Sequence, residues 1–153
     1  MDAKEYLLEY AALKMEAINN EDRIAEAFNE TLIPAVTQGD GSQRTPGRGD
    51  RQEKMNIRYI ETKERLQPVI DANKAKMRQI EDDIASLADL MQREVLRLRY
   101  IDVDGWQPVP WRLVAITMYR GDEDKDVHRV LRLHREALAS LDAVLAADDK
   151  SHQ

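Results

Sequence analysis

Three arginines, Arg129, Arg132 and Arg135, recur at intervals of three near the end of the chain, with Lys125 and His128 just ahead of them. On a helix that spacing lays them along one flank. A guanidinium fork in such a row grips phosphate or pairs bidentately with a guanine edge, so the chemistry on offer is recognition of an anion or a nucleic acid. A solvated helix face has the same composition, and on these residues alone the two readings weigh nearly equally.

The other chemically capable residues do not assemble into a site. His134 falls on an apolar seam with no second His, Cys or carboxylate at ligand spacing on that face, which predicts a packed, hydrogen-bonded core histidine. Trp106 and Trp111 read as core anchors around the neighbouring prolines. Asp122, Asp124 and Asp126 have the spacing of a calcium loop, but its sixth position is Val127 where glycine is needed and its twelfth is Leu133 where glutamate is needed. Glycine-lysine phosphate loops, dinucleotide fingerprints and His-Glu-x-x-His zinc motifs are missing, and without cysteine there is no thiol nucleophile or thiolate ligand. The expectation is a protein that is not an enzyme, with no cofactor and no metal.

Composition narrows the class further. The 153 residues are 34% charged and only 5% aromatic, which suits amphipathic helices with narrow apolar stripes. The net charge of −6 argues mildly against DNA contact by the whole surface. It is unevenly spread: residues 93–141 carry nine basic and eight acidic side chains, so an anion-binding surface belongs in the C-terminal third. No stretch is apolar enough to span a membrane and the polar N-terminus is unlike a signal peptide, so a cytoplasmic location is expected.

The elements that must position the arginines are helices. From Ala3 to Ile33 there is neither Gly nor Pro, and apolar residues recur at helical spacing, predicting one long helix with Asn19-Asn20 as its weakest point. Residues 38–50 hold four of the six glycines, and a mobile connecting loop is expected over 35–51. Asp50 with Glu53 predicts the cap of a second long helix. Its apolar positions Met77, Ile80, Ile84, Leu87, Met91 and Leu98 follow a three-four spacing broken only at Glu94, a coiled-coil seam whose partner is most economically the first helix. Pro68 predicts a kink or break near Gln67. Beyond Tyr100 a turn-rich link with Pro108 and Pro110 leads to a short helix from Trp111, which Gly121 ends. Asp122 or a nearby acid then caps a last helix with its stripe on Val127, Leu131, His134, Leu138, Leu141 and Leu145.

The expected fold is therefore all-α: a long, coiled-coil-like helical hairpin over residues 1–92, a three-helix helix-turn-helix unit over 93–147, and a disordered tail over 148–153. Two narrow stripes bury little, so self-association as a homodimer is a secondary expectation.

The strings Val95-Leu96-Arg97-Leu98-Arg99-Tyr100-Ile101, Trp111-Arg112-Leu113-Val114-Ala115, Met118-Tyr119 and Val130-Leu131-Arg132-Leu133-His134-Arg135-Glu136-Ala137-Leu138 resemble the C-terminal signature of small phage regulators of the RinA/ArpU late-transcription-activator type, which in turn resemble the promoter-reading end of bacterial sigma factors. The resemblance covers about the last third of the chain. It implies a phage or prophage regulator that binds double-stranded DNA through its last helix and contacts RNA polymerase or a second copy through its hairpin. It also implies a helix-turn-helix core of Trp111, Val114, Ala115, Leu133, His134 and Leu138, with Lys125, His128, Arg129, Arg132 and Arg135 as the DNA-contacting set. The alternative is a non-enzymatic helical adaptor that binds protein partners through the hairpin, for which the acidic net charge and the run 122–126 speak.

Overall fold

The computed structural model describes residues 2–32 and 48–152. Among them are five α-helices: α1 (Ala3–Leu32), α2 (Arg48–Ala85), α3 (Leu90–Leu96), α4 (Trp111–Tyr119) and α5 (Asp124–Ser151), with a π-helical turn over Arg97–Ile101 directly after α3. The fold is all-α, a long α1–α2 hairpin followed by three shorter packed helices.

Several local outcomes differ from the sequence expectations. α1 runs unbroken through Asn19-Asn20, because Asn20 sits in the hairpin seam as a buried residue. Most of the expected loop at 35–51 lies outside the described residues, but 48–51 are helical, which puts Asp50 in the first turn of α2 and not at its cap. α2 also continues through Pro68 without a break. The helix loses one backbone hydrogen bond there, and the bonds on either side carry it past.

The largest departure is at the other end of α2. The apolar spacing predicts one helix running on to Leu98, yet α2 stops at Ala85 and α3 starts afresh at Leu90. Asp89 is the cap of α3, its carboxylate accepting from the Gln92 amide at 3.1 Å. The Arg93 guanidinium reaches back to the Leu87 carbonyl at 2.6 Å and satisfies an acceptor that the end of α2 leaves open. Leu87 is thus buried in a turn and Met91 is exposed.

The chain separates into two compact units, Met1–Met15 with Lys74–Gln153, and Glu16–Asn73. This is not the division at 92–93 that the sequence suggested. In the first unit the root of the hairpin is built into the C-terminal helices. The Ala3 amide donates to Asp142 at 2.7 Å, Lys14 donates to the Val103 carbonyl at 2.8 Å, and the Tyr6 and Tyr10 hydroxyls donate to Asp83 and Glu81 at 2.5 and 2.7 Å. Burial, and then these carboxylates, push both tyrosine pKa values well above the ordinary phenol range. Leu7, Ile80, Ile84, Val95, Leu96, Val114, Val130 and Leu141 form the middle of one continuous core.

In the second unit Ala17, Ala27, Leu66 and Ile70 are the buried apolar residues, joined by the buried Asn20 and Asn73. Glu30 and Arg58 pair at 3.4 Å, and the Phe28 and Tyr59 rings meet at 5.4 Å. Asparagines in such a seam contribute little stability and restrict register.

Candidate nucleic-acid interface

The π-helical turn sets the geometry of the C-terminal unit. The chain makes an i→i+5 turn here, and the adjacent pair Val95 and Leu96 before it and the pair Tyr100 and Ile101 at its end are all buried in the core. No composition signal marks the turn, and the helical spacing concealed it. From it the Val109 amide returns to the Arg99 carbonyl at 2.9 Å, and the Arg99 guanidinium donates to the Val109 carbonyl at 2.5 Å while stacking 4.1 Å from the centre of the Trp111 ring. The two-proline link is thereby pinned and α4 is delivered at Trp111. Pro110 occupies the residue before α4, one position earlier than a first-turn proline.

His134 is the point where these elements meet α5. It is 8% exposed, its Nε2 lies 2.7 Å from the Tyr100 hydroxyl, and the Trp111 ring packs edge-on at 4.6 Å. Burial, then the nearby Arg99 and Lys4 charges, push its pKa down to about 4, so it is neutral at pH 7. The histidine is a packed core residue, as its place on the apolar seam predicted. Val114 and Ala115 are fully buried as expected, while Trp111, Leu133 and Leu138 are half-buried against the same core. Trp106 is 55% exposed and anchors nothing, since the link holding it is fastened through Arg99 instead.

α4 and α5 are joined by the four residues Arg120, Gly121, Asp122 and Glu123. The left-handed residue closing α4 is Arg120, with φ 60, and not Gly121. Gly121 is required for a different reason: a Cβ there would lie 2.4 Å from an oxygen of the buried Asp126 carboxylate. Glu123 precedes α5 without a side-chain cap, and Asp124 and Asp126 sit in its first turn, where acids favour the helix dipole. The fully buried stripe of α5 is Val130, Ala137 and Leu141 with His134, one step round from the expected Leu131 and Leu138. α5 also continues to Ser151, so 148–151 are helical where a disordered tail was expected.

On this helix Lys125, His128, Arg129, Arg132 and Arg135 are all exposed, on the face opposite the buried stripe. From Lys125 to Arg135 the row runs about 15 Å at the helical rise. The Arg129 guanidinium lies 4.1 Å over the Tyr119 ring, a cation–π contact that ties it to the end of α4. Among the described residues neither Arg132 nor Arg135 has an acidic partner within ion-pair distance. Lys125 pairs with Glu123 at 3.5 Å, both exposed, a contact that a phosphate can displace.

The acidic run beside this row is partly engaged elsewhere. Arg112 of α4 donates to the Asp122 carbonyl at 2.7 Å and lies 3.4 Å from the Asp124 carboxylate, and the buried Asp126 carboxylate lies against Gly121. Asp122 and Glu123 remain on the surface at the helix start. The positive face therefore runs from Lys125 to Arg135, with the exposed Glu136 one turn beyond Arg132. Among the described residues no group of His, Asp and Glu is arranged to hold a metal, and no helix is long and apolar enough to cross a membrane. Comparison with protein-family models, curated proteins and solved structures finds no match to this chain.

Proposed function

We propose that this chain is a DNA-binding transcriptional regulator that acts by binding, with α4 and α5 as its helix-turn-helix and the outer face of α5 as the reading surface. The observation that carries the reading is the exposed row Arg129, Arg132 and Arg135 on the helix following a short helix and a four-residue turn. Side chains so placed reach into a major groove while α4 stands across the backbone. An adaptor that used α5 for folding alone would bury or neutralise those arginines against the hairpin, and Arg132 and Arg135 are neither buried nor paired among the described residues. The resemblance of the C-terminal strings to RinA/ArpU-type regulators supports the same reading, and it is what suggests late phage genes as the target and activation as the effect.

The experiment is binding of the purified chain to DNA from upstream of its own operon, against a scrambled duplex, with Arg129→Ala/Arg132→Ala as the comparison. Sequence-preferring binding by the wild type and its loss in a variant with unchanged melting supports the reading. Equal, weak binding to both duplexes by both proteins overturns it.

A protein-binding adaptor is the second reading, with the α4 surface in place of the hairpin that the sequence suggested. Leu113 and Ile116 on α4, one turn apart, and Trp106 in the link before it are exposed apolar residues that a protein partner could cover. A pull-down in which Leu113→Glu/Ile116→Glu loses a partner while the α5 double variant keeps it would favour that reading.

A further inference from the structure

The start of α5 sets a carboxylate against the surface proposed to meet DNA. Asp124 falls four residues before His128 and eleven before Arg135, and at about 3.6 residues per turn that puts it on their flank of the helix. Its side chain is 86% exposed, so a duplex drawn onto Arg132 and Arg135 brings phosphates toward it. Like charges so placed cost binding. Folding nevertheless favours an acid here. Glu123 precedes α5 without a side-chain cap, and Asp124 and Asp126 are the charges that the first turn sets against the helix dipole.

Arg112, in the first turn of α4, meets that carboxylate. Its Nη1 donates to the Asp122 carbonyl at 2.7 Å while its Nη2 lies 3.4 Å from Asp124 Oδ1, so both ends of the guanidinium fork are engaged on the turn between the two helices. Among the described residues Arg112 is the one cation within ion-pair distance of Asp124; Glu123 has Lys125, and Asp126 is buried. We propose that Arg112 is a positioning residue for DNA binding that acts through Asp124, cancelling the charge that the start of α5 would otherwise present to the phosphates without gripping a phosphate itself. The inference rests on the DNA-binding reading of α5.

Two observations favour this role over the plainer ones. An ion pair whose side chains are 63% and 86% exposed contributes little to folding, so its main effect falls on an approaching polyanion. A direct phosphate contact would need a guanidinium that is free, as those of Arg132 and Arg135 are among the described residues, whereas Arg112 would first have to leave both the carbonyl and the carboxylate.

The test is the affinity of the full chain for the upstream duplex across a salt series, with Arg112→Ala introduced into the wild type, into Asp124→Asn and into Asp122→Asn. All three side chains are exposed, and thermal melts confirm folding. In the wild type Arg112→Ala should weaken binding by about three- to tenfold at low salt, the effect of one uncompensated charge within about 10 Å of one or two phosphates, and the effect should fade as salt rises. The same substitution should have no effect in the Asp124→Asn background and keep its effect in the Asp122→Asn background, a coupling that a double-mutant cycle measures. Equal losses in all three backgrounds would make Arg112 a phosphate contact or a brace for the turn and would overturn the inference, as would wild-type binding that Arg112→Ala leaves unchanged. Absence of wild-type binding at low salt would remove the DNA-binding reading and this inference with it, an outcome that is seen before any variant is compared.

Discussion

Replacing His134 with glutamine removes the titration of one buried group and leaves a side chain that can still hydrogen bond with Tyr100. In the folded chain His134 has a pKa of about 4, against 6.5 for the free side chain. The unfolded chain therefore binds a proton that the folded chain does not bind between those values. By linkage the contribution of the neutral histidine is fully present above pH 6.5 and is lost as pH falls through the interval to about 4. At about 1.4 kcal/mol per unit the whole effect reaches about 3 kcal/mol, an upper value because Arg99 can shift away from the new charge. For a chain of this size that corresponds to roughly 5–10 °C in melting temperature.

The assay is chemical denaturation of wild type and His134→Gln at pH 7.5, 6, 5 and 4.2, taking the difference between the two proteins so that the shared carboxylates cancel. Wild type should be the more stable at pH 7.5, and its advantage should shrink toward pH 4. A difference that stays constant across the interval would refute the reasoning, as would an imidazole titration near 6.5 followed by NMR on the folded protein.

Three further outcomes follow from the turns and caps. Gly121→Ala places a methyl 2.4 Å from an Asp126 oxygen and should destabilise by about 1–3 kcal/mol, with most of the loss recovered in an Asp126→Ala background, a coupling that a double-mutant cycle measures. Arg120→Gly relieves a left-handed residue at φ 60 and should leave stability unchanged or raise it by up to about 1 kcal/mol in thermal melts. Asp89→Ala removes the acceptor for the Gln92 amide and should cost about 1 kcal/mol, with faster amide exchange in the first turn of α3.

The helical class and the hairpin were legible because the seam residues of α1 and α2 repeat at three and four, and His134 was placed correctly by falling on such a seam. The same regularity misled at Leu87, Met91 and Leu98. A three-four spacing says which residues share a face if the helix continues, and is silent on whether it does. Asp89 and Gln92 form an Asp-x-x-Gln capping pair in the sequence, a start signal that outweighs the periodicity there. The joining of the hairpin root to the C-terminal helices could not be read, since Ala3–Asp142 and Lys14–Val103 are contacts between residues far apart in the chain. For the candidate interface, the spacing of Arg129, Arg132 and Arg135 gave their common face but not its exposure, which depends on Val130 and Ala137 turning inward. The Arg129–Tyr119 stack and the Arg112 contacts that engage part of the acidic turn had no local signal.

The most direct test of the central claim is the salt dependence of binding to upstream DNA. With Lys125, Arg129, Arg132 and Arg135 on the exposed face, up to four phosphates can be neutralised, so the logarithm of the binding constant should fall against that of salt concentration with a slope of roughly −3 to −4. Arg129→Ala/Arg132→Ala should weaken binding and flatten the slope by about 2. Absence of wild-type binding at low salt, or a slope that the double substitution leaves unchanged, would contradict the assignment of the outer face of α5 as the DNA-binding surface.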